Sequence, residues 1–207
     1  GQPEGENPVS VGAGEVHKLF GVKKTGFDFL GWNTEKDGSG EFVEYLYGID
    51  EPLRLYAVFQ PKEYVVRYFY EGSYKGEESN PNTVRFGERV VLLPVYLYGH
   101  RFDGWFDAEE GGNRIEVLDE SNILAVSNLY ARYSPLEFSL RLEAGEGSFL
   151  WEGEACSAAE DTVQFGESLP LPECALIGHT FLGWNEDPAG GGEFYTSFTG
   201  MEGDKTL

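Results

Sequence analysis

The sequence is poor in most of the features that mark catalysis, metal binding or membrane insertion. It has two cysteines, Cys156 and Cys174, which offer no Cys-x-x-Cys spacing for a thiolate metal site. Three histidines leave few candidates for a base or an imidazole ligand. No apolar run approaches the ~20 residues needed to span a bilayer. The first residues, GQPEGENP, lack the charged-then-apolar pattern of a leader, although a processed start would read the same way. Basic residues are scarce, 15 against 36 acidic ones, for a formal charge of -21. Such a surface repels phosphate backbones and anionic headgroups, which argues against nucleic acid and membrane surfaces as partners. Phosphate loops and nucleophile elbows are missing too. Paired carboxylates in so acidic a chain mean nothing without geometry. The expectation is a protein that is not an enzyme and carries no cofactor.

What the chain does have is apolar and aromatic residues, 41% and 15% of its 207, enough to bury real cores. It also repeats itself. GFDFLGWNTEKDGSGEF from Gly26 is followed by GHRFDGWFDAEEGGNRI from Gly99 and GHTFLGWNEDPAGGGEF from Gly178. A Gly-Glu pair stands 12 residues ahead of each opening glycine, at Gly14, Gly87 and Gly166. LRLYAVF from Leu53, the join QPKE from Gln60 and YVVRYFY from Tyr64 recur 74 residues later as SNLYARY, SPLE and FSLRLEA. The register therefore holds at several independent places, as a tandem repeat requires. The phrase recurs after 73 and then 79 residues, so the third unit carries about five extra residues between Leu142 and Val163. The units read as 1–60, 61–134 and 135–207, the last with an insertion near 143–162.

Each unit reads as strands. Apolar residues alternate with Arg67, Ser139 and Arg141, and Leu55, Ala57 and Phe59 share one face with a period of two. The expected class is mainly β or small α+β, each unit a small mixed sheet with at most one short helix. The stretch after each Gly-Glu is the place for that helix, but Pro94, Pro170 and Pro172 interrupt it.

Within the phrase, Phe29, Phe102 and Phe181 stand three residues before Trp32, Trp105 and Trp184. In a regular strand, residues three apart face opposite ways. A bulge at the intervening Gly31, Gly104 or Gly183 would turn both rings to one core. These nine residues are expected to form the structural core of each repeat. The competing reading makes the rings sugar-stacking platforms, as on a carbohydrate-binding module. Trp151, in the insertion, has no counterpart elsewhere and is the better candidate for a ligand contact. After Trp32, Asn33, Glu35, Asp37, Gly38 and Glu44 fall on EF-hand positions, but the equivalent loops lose the pattern, so a Gly-rich hairpin turn is expected and no metal site. His100 and His179 share one repeat position beside the opening glycine and suit a turn better than a ligand; His17 stands alone. Cys156 and Cys174 are either a bridge, stabilising by roughly 3 kcal/mol through loop closure, or two free thiols.

G-x-x-F-x-G-W, a polar Gly-rich turn and L-x-L-Y-A-x-[FY] together resemble the Listeria–Bacteroides repeat, also called the internalin-type B repeat, of bacterial surface proteins. The resemblance covers most of the chain and is complete in the second unit. It implies a β-grasp-like fold, an extracellular or wall-attached location, and a role as stalk, spacer or adhesive module touching a host or matrix protein or a glycan. It brings no catalytic residue. By the spacing, the first unit's opening strand falls ahead of Gly1, and the third stops at Thr206-Leu207 before its Tyr-Ala-x-aromatic strand. Uncovered sheet edges at both ends favour end-to-end self-association.

Overall fold

A computed structural model describes residues 9–207 of the protein. Its elements among the described residues are all strands, many of them two or three residues long. The stretches after Gly-Glu hold short strands and no helix among the described residues. Val90–Val91 pairs antiparallel with Val117 and Leu118, and Val95–Tyr96 pairs with Ser73–Tyr74. Pro94 lacks the N–H that a helix would need, and the β-branched valines suit pleated backbone. The nearest approach to a helix is the pair of single turns at Asp119–Val126, where Ile123 N–H bonds Asp119 O and Val126 N–H bonds Asn122 O.

The chain divides into two compact units. One takes in the chain up to Phe69, Glu78–Leu93 and Trp105–Tyr130. In it the phrase strand Phe27–Asn33 lies between the short strand Phe42–Val43 and the closing strand Tyr56–Pro61, antiparallel to both. The register shifts between Phe29 and Gly31, so the glycine takes up the bulge and Phe29 and Trp32 meet edge to face at 5.8 Å. Glu63–Val65 pairs antiparallel with Thr83–Arg85, and Arg67–Phe69 runs parallel to Asn128–Tyr130. Val66, Val84, Trp105, Leu118, Ile123 and Leu129 are its most deeply buried apolar side chains.

The other unit takes in Tyr70–Glu77, Pro94–Gly104 and Ala131–Leu207. Its main sheet is the opening strand Glu137–Glu143, paired along its whole length with Ala158–Gln164 and, on its other edge, parallel to Lys205–Thr206. The insertion lengthens this hairpin. Its tip is a second hairpin, Phe149–Trp151 against Glu154–Cys156, turned by Glu152 and Gly153, both at positive φ. One buried cluster, including Leu140, Leu142, Phe149, Val163, Trp184, Phe198 and Met201, forms the core of its third-repeat part.

Candidate functional site: the junction between repeats

The tryptophans are held alike in all three repeats. Trp32 donates its indole N–H to Phe20 O, Trp105 to Leu93 O and Trp184 to Pro172 O, each 12 residues upstream and at 2.7–2.8 Å. An indole buried with its one donor satisfied costs nothing in lost hydrogen bonding and fills a small core. Trp105 and Trp184 are buried and Trp32 is half-buried. The difference lies in what packs on the ring: Tyr68 meets Trp105 edge-on at 5.2 Å and Phe149 meets Trp184 at 5.1 Å. Phe29, Phe102 and Phe181 are half-buried beside them. Phe29 and Phe102 are covered by Phe59 and Tyr133 of the closing strands, at 5.6 and 5.7 Å.

The Gly-Glu pairs close a turn that is the same three times. Glu15, Glu88 and Glu167 each accept, on a side-chain oxygen, the N–H of the residue three places earlier, Gly12, Arg85 and Gln164. Each returns its own N–H to that residue's carbonyl. Gly14, Gly87 and Gly166 sit at φ of 76–88°, which a turn glycine adopts at no steric cost. The residue before that glycine differs among the repeats. In the second and third repeats it is Phe86 and Phe165; in the first it is Ala13.

These two phenylalanines join the repeats. The Phe86 ring lies flat on Gly26, the opening glycine of the preceding phrase, and Phe165 lies in the same way on Gly99. Phe86 also meets Phe27 edge-on at 5.5 Å, and Phe165 meets His100 at 5.8 Å and Tyr98 at 5.2 Å. Between the closing strand ending at Pro61 and the next strand starting at Glu63 stands one residue, Lys62; between Pro135 and Glu137 stands Leu136. Both backbone groups of that residue are used. Lys62 N–H donates to Gly26 O at 2.9 Å, and its carbonyl accepts Phe86 N–H at 2.9 Å. Leu136 N–H donates to Gly99 O at 2.8 Å, and its carbonyl accepts Phe165 N–H at 2.7 Å. Each junction lies within one compact unit. The sequence carries a signal for the aromatic half, Phe before Gly-Glu in two repeats of three, but none for Lys62 and Leu136, which act through their backbones.

The remaining candidates have local roles. Asn33 is fully buried and organises its hairpin loop: its amide donates to Gly38 O and Gly40 O, and its oxygen accepts Glu35 N–H and Gly40 N–H. Asp37 accepts both N–H and hydroxyl of Ser39, which holds its carboxyl below the usual range. Among the described residues no three His, Cys, Asp or Glu side chains are grouped to hold a metal ion. His100 and His179 each place Nδ1 against a backbone carbonyl two residues back, at 2.9 and 3.1 Å, as turn residues do. Trp151 is half-buried against the third repeat's own core, with Phe149 edge-on at 6.5 Å. Cys156 and Cys174 are free thiols, both half-buried.

Comparison with known proteins places these features in a family. The chain is 32% identical over 79% of its length to a protein of Evansella cellulosilytica named "Putative Gly-rich membrane protein", and 25% identical over 80% to another from the same organism named "Putative membrane protein". It spans 18% and 23% of those two relatives. No solved structure matches it. The family model described as the Listeria-Bacteroides repeat domain matches residues 4–58, 64–132 and 148–207. Matched in this way across three successive repeats, the chain belongs to the Listeria-Bacteroides repeat domain family.

Proposed function

We propose that the chain is a non-catalytic repeat region of a bacterial cell-surface or secreted protein, acting as a spacer whose repetition also allows weak multivalent contact with a host or matrix partner. The observation that carries this reading is the junction. A joint of one residue, both of whose backbone groups are hydrogen-bonded, leaves neighbouring repeats no free linker on which to swing. A protein that only needed to concentrate binding modules would gain from flexible linkers, whereas one that sets a distance needs fixed ones. The relatives' names point to the cell envelope, and a formal charge of -21 keeps such a segment soluble and apart from anionic surfaces.

Residual dipolar couplings test the spacer directly. The second and third repeats should report one shared alignment tensor, and two independent tensors would overturn the reading. Location is tested by protease shaving of intact cells that express the full-length parent: loss of this region's epitope is expected. Against the carbohydrate-module alternative stands the packing of the half-buried Trp151 on its own repeat's core. Glycan-array binding abolished by Trp151→Ala would restore it.

A further inference from the structure

In the second repeat Arg67–Phe69 runs parallel to Asn128–Tyr130, and both strands lie within one compact unit. Tyr68 and Leu129 face the core, Tyr68 edge-on to Trp105 and Leu129 fully buried. Their neighbours therefore face outward in two rungs, Arg67 across from Asn128 and Phe69 across from Tyr130. The Phe69 and Tyr130 rings stack at 4.8 Å with 13° between their planes, and Phe69 stays exposed. Asn128 keeps a side-chain oxygen that is buried and accepts no hydrogen bond, so a donor brought to this rung displaces no protein bond. Arg67 is the odd member. Acidic residues outnumber basic ones 36 to 15, yet the exposed Arg67 guanidinium has no carboxylate partner among the described residues. Arg141, at the same place in the third repeat, has two, Glu143 at 2.6 Å and Glu160 at 3.4 Å. Phe69 stands in the place of Glu143. Pro81 stands in the place of Glu160, because the ladder that sets Val66 N–H on Asn82 O brings Pro81 next to Arg67, as Glu160 comes next to Arg141. The same fold thus neutralises this arginine in one repeat and surrounds it with apolar rings in another.

We propose that this face of the second repeat binds the terminal sialic acid of an otherwise neutral glycan, with Arg67, Phe69 and Asn128 as its contacts. The sugar's planar carboxylate takes two parallel hydrogen bonds from the Arg67 guanidinium. Its acetamido methyl and ring C–H groups lie on the exposed Phe69 ring, whose negative face favours them. A hydroxyl or the amide N–H supplies the donor that Asn128 lacks. The two rungs stand about 6.8 Å apart, two residues along a strand, and a sialic acid carries its carboxylate and its acetamide at opposite corners of one ring, so it reaches both. A uronate has the carboxylate without the acetamide and engages one rung only. A single unpaired cation matches a single charge, whereas a polyanion would meet the repulsion of a chain with a formal charge of -21. The site gives a chemistry to the weak multivalent contact proposed above and rests on that part of the reading, not on the spacer.

The probe is sialyllactose, titrated into the whole chain and followed by backbone amide chemical shifts. Saturable shifts are expected at 65–70 and 127–131, with a Kd of about 1 mM. Arg67→Gln and Phe69→Ala, both at exposed positions, should each weaken binding at least about tenfold. Arg141→Gln should leave it unchanged, because that guanidinium is already paired. Phe69→Glu, which offers Arg67 an internal carboxylate as Glu143 does Arg141, should abolish binding while the Trp105 indole signal stays in place. No saturable shift at about 20 mM trisaccharide would overturn the proposal. So would equal affinity for lactose, for the methyl ester of sialyllactose or for glucuronate, and so would tighter binding of the tripeptide Phe-Glu-Phe, which would make the face a peptide site. Any of these results removes the glycan contact and leaves the spacer standing, since the spacer is read from the alignment tensors of the repeats.

Discussion

At Gly26 and Gly99 a hydrogen atom is all that separates the backbone from a phenyl ring. A Cβ at either would run into Phe86 or Phe165, and φ of 77° and 72° adds backbone strain for any other residue. Gly178 has the same φ of 77° and no neighbour. Gly99→Ala is therefore expected to cost about 2–4 kcal/mol, strain and displaced ring together, and Gly178→Ala about 1 kcal/mol from strain alone. Urea denaturation of the two variants measures the difference, which belongs to the clasp; equal costs would remove the ring contact from the account. Tyr133 makes a second residue-scale case. Burial first, then the charges of Glu71, Tyr74 and Tyr70, push its hydroxyl from 10.0 up to about 12, and the neutral hydroxyl donates to Glu71 O at 2.7 Å. A folded-state value raised above the unfolded one gives stability that is complete below about pH 10 and is lost as pH rises toward 12. Tyr133→Phe should flatten that part of the alkaline stability profile relative to the native chain. An unchanged slope between pH 10 and 12 would mean that other tyrosines carry it.

Among the elements, the phrase strand was the most legible because its rule is local. Phe and Trp three apart share a core only if the strand gains a residue, and Gly31 between them is where the register shifts. The Gly-Glu turn was legible as a repeated mark but not as a mechanism, since its partner ring contact joins residues far apart in sequence. The joins read as four residues, yet strand pairing consumes all but Lys62 and Leu136. Periodicity cannot show where a ladder ends, because hydrogen bonding decides that. In sequence the insertion stands out by Trp151, which has no counterpart in the other repeats. In the structure Phe149 matters more, because it meets the repeat's tryptophan edge-on as Tyr68 does in the second repeat. Phe149 is 3% exposed and Trp151 half-buried. Phe149→Ala should thus cost about 3–4 kcal/mol and Trp151→Ala about 1–2 kcal/mol by chemical denaturation. The reverse order would make the hairpin tip, not its base, the part that holds the third repeat together.

For the whole molecule, the question is whether three repeats behave as one folding unit. A repeat of roughly 70 residues sits near the lower limit for folding alone, so neighbours must contribute to each other's stability. In linear arrays, stability is close to a sum of repeat terms and nearest-neighbour interface terms, and cooperativity is lost when the interface terms are weakened. Here the named contacts at each junction centre on one phenylalanine, set on the opening glycine and against the aromatic side chains beside it, and on two backbone hydrogen bonds. The chain with Phe86→Ala and Phe165→Ala together keeps the one-residue joints and every core side chain but loses both clasps. Each removed ring should cost about 1–2 kcal/mol, since both are half-buried. The native chain should unfold in a single transition by calorimetry and by tryptophan fluorescence alike, because Trp32, Trp105 and Trp184 report one repeat each. In the double variant the two probes should separate, with the half-buried Trp32 responding first. Coincident transitions in that variant would assign the coupling to the shared backbone of the joints and leave the rings only a local part in stability.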